Sequence, residues 1–128
     1  EQYKRQYSSS AALERAQLNC RNVADMAVLE FLFEKHNRNQ SAGSAMDMAT
    51  SEANSSVKGR VELIEFAYEK HSRNTSSSSA ATKAVLNAKS QKRSRGALAC
   101  FNQYYAIHSR TNSASAAMDK TAETCSRF

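Results

Sequence analysis

The tract Glu34-Lys35-His36-Asn37-Arg38-Asn39 recurs as Glu69-Lys70-His71-Ser72-Arg73-Asn74, and in weaker form as Ala106-Ile107-His108-Ser109-Arg110-Thr111-Asn112. A second tract recurs between these copies. It reads Ala11-Ala12-Leu13-Glu14, Ser44-Ala45-Met46-Asp47, Ala80-Ala81-Thr82-Lys83 and Ala116-Ala117-Met118-Asp119, and each copy follows serines at Ser8 to Ser10, Ser41, Ser76 to Ser79, and Ser113 with Ser115. Self-similarity at a fixed period is the mark of a repeated supersecondary unit, here about 36 residues long.

The chemistry of the two tracts assigns them to helix ends and helix starts. A serine ahead of an apolar segment accepts an orphan backbone N–H and caps a helix. Acidic residues soon after, such as Glu14, Asp47 and Asp119, suit the positive end of the helix dipole. Lys35, His36, Lys70 and His71 suit the negative end, and Asn39, Asn74 and Asn112 are expected to close the helices in the left-handed conformation. The connections are then tight turns of about four residues.

Helices are expected near 9–36, 41–71, 76–108 and 113–126. Leu13, Ala16, Cys20, Val23, Ala27 and Phe31 fall at helical spacing in the first. Val57, Val61, Ile64 and Tyr68, widened by Leu63 and Phe66, follow in the second, and Leu98, Phe101, Tyr105 and Ile107 in the third. Two polar stretches, Asn54 to Gly59 and Ser90 to Gly96, are weakly helical. If both are loops, the long second and third helices split and the fold has six shorter ones. Proline, which breaks helices, is absent from the 128 residues. The expected fold is an all-α antiparallel helical bundle from an internal repeat, held by a disulfide. It forms one domain over residues 1–128, with residues 1–7 a loose N-terminal segment.

Three cysteines allow one disulfide and one leftover thiol. Cys100 lies about two turns before the 109–112 connection and Cys125 about three turns after it, so the two can meet across a hairpin. Cys20 and Cys125 occupy equivalent places in their repeats, which makes that pairing the rival. No C-x-x-C pair or zinc spacing occurs. In an up-and-down bundle of long helices, His36 and His108 end at one pole and His71 at the other, so no shared metal site is expected. Their expected role is at helix ends.

The net charge of +6 favours acidic partners. Lys89, Lys92, Arg93 and Arg95 form the densest basic run and are the candidate partner-binding residues, by contact with an acidic protein surface. No aromatic interleaving or recognition-helix signature accompanies the run, so nucleic acid is not expected. The most apolar stretch, Met26 to Phe33, contains Glu30 and is too short to span a membrane. Glu1-Gln2-Tyr3-Lys4 has no apolar signal core, as in a mature processed chain or a cytosolic one. Three glycosylation sequons, Asn39-Gln40-Ser41, Asn54-Ser55-Ser56 and Asn74-Thr75-Ser76, fall in expected turns. No nucleophile–base pair, serine elbow or cofactor motif is present, and Glu62 with Glu65 reads as solvated charge. No enzyme activity and no cofactor are expected.

Taken together, Tyr7 to Glu14, Glu30 to His36 and Cys100 to Tyr105 give the chain a likeness in size, charge, helicity and cysteine use. It resembles the small basic helical salivary-gland proteins of anopheline mosquitoes, the family that includes albicin and anophensin. The resemblance implies secretion in saliva and inhibition of host defence. The implied partner is a host plasma protein, the alternative-pathway complement convertase, with inhibition of contact-phase coagulation and kallikrein activation as the alternative. The three-cysteine count departs from a fully paired framework. Independently of the resemblance, a helical carrier of a small apolar ligand remains open, with Phe31, Phe33, Phe66, Tyr68, Phe101 and Tyr105 as cavity walls.

Overall fold

The computed structural model describes residues 25–128. Over that range the chain is all-helical, with no strand among the described residues. The helices are α1 (Met26–His36), α2 (Ala42–Glu52), α3 (Val61–His71), α4 (Ser77–Lys89), α5 (Ala97–His108) and α6 (Ala114–Cys125). A short 3-10 turn, Ser55–Val57, lies between α2 and α3.

Serine starts three of these helices, as its capping chemistry requires. The hydroxyls of Ser41, Ser76 and Ser113 accept the backbone N–H of Ser44, Ser79 and Ala116. Asp25 caps α1, accepting from Ala27 and Val28. The expected ends also hold: α1, α3 and α5 finish on His36, His71 and His108. The left-handed closures do not form, because no non-glycine residue has positive φ among the described residues. Asn37, Ser72 and Ser109 end these helices in right-handed geometry instead. The asparagines of the recurring tract act between helices, as shown below.

The long second and third helices are each two helices. Asn54 Oδ1 accepts the N–H of Ser56, and Asn54 Nδ2 donates to the Ser51 carbonyl. These local bonds compete with the helical ladder and end it. Gly59 and Gly96, at φ +74° and +83°, supply the left-handed turns that lead into α3 and α5. The extra reversals change the topology. α1, α3 and α5 run in one direction and α2, α4 and α6 return, so all three histidines end at the same pole. The opposite-pole arrangement expected for His71 is therefore wrong, and the argument it supplied against a shared metal falls with it.

Three helical hairpins result: α1–α2, α3–α4 and α5–α6. Each pairs a helix rich in large side chains with one rich in small ones. Val28, Leu29 and Leu32 are buried on α1 and Gly43, Ala45 and Ala49 on α2. Small residues let the two axes approach closely. The hairpins pack side by side in chain order, α4 against α1 and α6 against α3. Ile64, Phe101 and Met118 are fully buried where they meet. The apolar stripe expected for the first helix is off phase, since Ala27 is exposed and Val28 is buried. The reset comes at Asp25, where α1 begins. Leu13, Ala16, Cys20 and Val23, with the loose segment expected at 1–7, lie outside the described residues. Cys100 and Cys125 form a disulfide across α5 and α6, so the preferred pairing holds.

Candidate interaction surface

The histidines that close α1 and α3 are wholly buried, 0 % exposed. They are not solvent-facing dipole partners. Each joins its own hairpin to the next. His36 Nε2 lies 2.7 Å from Glu52 Oε1, and its Nδ1 lies 2.7 Å from Ser78 Oγ. His71 Nε2 lies 2.6 Å from Asn87 Oδ1, and its Nδ1 lies 2.6 Å from Ser115 Oγ. An amide oxygen only accepts, so His71 Nε2 carries the proton, Nδ1 accepts, and the Ser115 hydroxyl donates. Burial pushes the His71 pKa below its ordinary value. The Asn87 bond and the Asp119 carboxylate oppose that shift in part, and Lys83 adds to it.

A second clamp sits beside each histidine. Asn39 Oδ1 accepts the Ser78 N–H and Asn74 Oδ1 accepts the Ser115 N–H, both at 2.9 Å. The same side chain–backbone pattern therefore locks hairpin one to two and hairpin two to three. A lysine adds to each junction. Lys35 Nζ lies 5.0 Å from the Phe31 ring and 5.2 Å from the Tyr68 ring, while Lys70 Nζ lies 4.8 Å from both Phe66 and Tyr105. Each cation sits between one ring of its own helix and one of the next. Of the six rings named as walls of a carrier cavity, Phe31 packs on Tyr68, Phe66 packs on Phe101 and Tyr105, and Phe33 packs against the hydrophobic core.

At the opposite pole, the candidate basic run closes α4 and enters the α4–α5 loop. Lys89 ends α4, and Lys92, Arg93 and Arg95 stand exposed on residues 90–96. The loop is fixed from beneath. Arg60 donates from Nη1 to the carbonyls of Ala88 and Gln91, at 2.6 and 2.7 Å, and from Nε to Ser94 Oγ at 2.9 Å. Buried Gln91 donates from Nε2 to the carbonyls of Asn87 and Ala122. Neither residue stood out in the sequence. The carbonyls that Arg60 faces are brought to it only by the fold.

The anchored loop leaves its cations outward. Lys92, Arg93 and Arg95 border a shallow cavity of about 250 Å³, with Gly96 and Ala97 at the start of α5 and with the Cys100–Cys125 disulfide and Phe128 on its apolar side. Lys89 lies outside this lining. Other cations are paired, Lys35 and Arg38 with Glu34, Lys70 and Arg73 with Glu69, and Arg127 with Glu123, while Lys83, Arg110 and Lys120 enter no ion pair among the described residues. No ion pair among the described residues involves Lys89, Lys92, Arg93 or Arg95. Charge, backbone donors at a helix start and an aromatic side wall together suit an acidic group carried on a partly apolar body.

Glu62 and Glu65 are both exposed on α3. Among the described residues no group of three or more His, Cys, Asp or Glu side chains is placed to hold a metal ion. No described helix is long and apolar enough to cross a membrane. Asn39, Asn54 and Asn74, the three sequon asparagines, all lie between helices. No family model matches the chain, and neither do any of the curated proteins or the solved structures.

Proposed function

We propose that this chain is a binding module that acts by stoichiometric contact rather than catalysis, and that its contact face is the loop bearing Lys92, Arg93 and Arg95. The supporting observation is that three cations with no acidic partner among the described residues stand on a loop fastened by Arg60 and Gln91, around a cavity with an apolar side. A pre-fixed loop loses little freedom on binding, so more of the contact energy appears as affinity. Stacked helix pairs present extended surfaces of this kind to protein partners. The preferred partner is an acidic protein segment containing an aromatic residue.

The test is fluorescence anisotropy with a labelled peptide of four glutamates around one tyrosine. Binding is expected at low salt and to weaken steeply with added salt, as screening removes the charge attraction. The triple variant K92E/R93E/R95E, checked for an unchanged helical spectrum, should abolish it. Equal binding by the triple variant would remove the loop from the account.

A second reading takes the partner to be the alternative-pathway convertase. The Cys100–Cys125 disulfide favours it, because disulfides persist in oxidising, extracellular compartments. A secreted inhibitor would then clamp the assembled convertase through the same basic loop. Inhibition of alternative-pathway haemolysis at near-stoichiometric dose would support this, and no inhibition at large excess would discard it.

A further inference from the structure

The disulfide that ties α5 to α6 borders open space beside the basic loop. Cys100 and Cys125 both line the cavity that Lys92, Arg93 and Arg95 border. A second cavity, of about 320 Å³, lies against Cys100 with Ala99, Gln103, Tyr104 and Phe128, and Cys125 does not line it. Cys100 is half-buried, whereas Cys125 is 6 % exposed. The two sulfurs therefore differ in approach. An attacking thiolate puts its electron pair into the antibonding orbital of the S–S bond, so it arrives at one sulfur from the side away from the other. Cys100 has open space on a flank that Cys125 does not reach, and Cys125 is covered. Exposed disulfides are the labile ones. The local charge is positive. Glu123, the acidic residue of α6 next before Cys125, is paired with Arg127 at 3.9 Å, which leaves the three loop cations to the cavity.

We propose that Cys100 is a thiol-exchange site that takes acidic peptide thiols. The thiolate of such a molecule attacks Cys100 Sγ, and the bond from Cys100 to Cys125 breaks. Cys125 leaves with the electron pair and takes up the proton that the attacking thiol gave up. One disulfide is consumed and another, between Cys100 and the incoming sulfur, is formed, so the step needs no outside oxidant. Lys92, Arg93 and Arg95 draw in the carboxylates of the incoming molecule and hold them once it is attached. Phe128, stacked on Tyr104 with ring centroids 5.9 Å apart, gives its aliphatic part an apolar wall. The loop needs no rearrangement, because Arg60 and Gln91 already fasten it. Acidity is the discriminating property, since a neutral or cationic thiol gains nothing from three positive charges. The exchange shares its cavity with the proposed contact face but does not require a protein partner there.

The test adds glutathione, neutral 2-mercaptoethanol or cationic cysteamine to the oxidised full chain at neutral pH and low salt. Samples are quenched with acid, alkylated and mapped by peptide mass, which reads the appearance of the Cys125 thiol and what Cys100 carries. Each rate is divided by that of the same thiol with hydroxyethyl disulfide, which removes the thiol's own nucleophilicity. The normalised rate should be about tenfold higher for glutathione than for 2-mercaptoethanol, the low end of electrostatic steering, and lower still for cysteamine. Added salt should collapse the difference in the parent chain, and K92E/R93E/R95E should bring glutathione down to 2-mercaptoethanol. Mixed disulfide caught by the quench should sit on Cys100. Equal normalised rates in the parent chain overturn the proposal. So does glutathione found only on Cys125 or Cys20, or a disulfide that millimolar glutathione leaves intact. A chain that exchanges with glutathione in this way but ignores the acidic tyrosine peptide keeps the exchange site and loses the protein partner.

Discussion

Replacing His71 by alanine probes the junction on which the hairpin stack depends. The ring is fully buried and bridges α3 to Asn87 on α4 and Ser115 on α6. Removing it leaves Asn87 Oδ1, on a residue only 8 % exposed, without its donor. An orphaned buried acceptor costs about 1–3 kcal/mol. The space left by the ring adds about 2 kcal/mol, as for other large-to-small core changes. Ser115 is half-buried, so water can satisfy its hydroxyl, and it adds little. The sum is about 3–5 kcal/mol, which for a domain of this size lowers the melting temperature by on the order of 20 °C. Urea unfolding followed by circular dichroism measures it. A cycle with Ser115→Ala isolates the bridge, with an expected coupling of about 1 kcal/mol. His108→Ala is the internal control. That ring is half-buried and makes one bond, of 3.2 Å, among the described residues, so its loss should cost no more than about 1–1.5 kcal/mol. Equal costs at His71 and His108, or a coupling near zero between His71 and Ser115, would refute the reasoning.

Acidification should act through the same ring. Its folded-state pKa lies below the ordinary 6.5, so the unfolded chain binds the proton first. The stability that His71 contributes is complete above about pH 6.5 and is lost as pH falls below it, with Asp119 limiting the loss. The urea midpoint of the parent chain should therefore fall more between about pH 7.5 and about pH 5 than that of His71→Gln. Replacing Cys100 and Cys125 by alanine opens a loop with a separation of 25 residues. Loop entropy sets the expected cost near 3.5 kcal/mol, read from urea unfolding of the variant beside the oxidised parent. Arg60→Met removes three donors from the α4–α5 loop. Amide exchange across residues 90–96 should quicken and stability should fall by about 1–2 kcal/mol, while helix-core amides keep their relative order.

The chain announces its helix ends in short, local chemistry, and those positions were legible. Ser41, Ser76 and Ser113 begin helices because a hydroxyl is worth most beside free N–H groups. The three histidines end helices at the positions read from the recurring tract. The breaks near Asn54 and Ser90 were visible as weak helix but undecidable, since side chains such as Asn54 tip the balance only through their own backbone bonds. That one ambiguity reversed the direction of α3 and moved His71 to the pole of His36. The roles of Asn39 and Asn74 were hidden for a related reason. Their partners, Ser78 and Ser115, lie 39 and 41 residues away, and only the stacking of hairpins brings them together. The basic run was legible as charge. That it stands fixed, rather than merely solvated, depends on Arg60 and Gln91, whose targets are backbone carbonyls that no composition reveals.

The claim that the basic loop is the working surface is tested most directly by mapping the acidic tyrosine peptide onto the isotopically labelled protein by amide chemical shifts. The account expects shifts concentrated at Gln91 to Ala97, Cys100, Cys125 and Phe128, and their disappearance in K92E/R93E/R95E. Shifts spread evenly over the helices, or centred on the pole of His36, His71 and His108, would contradict it.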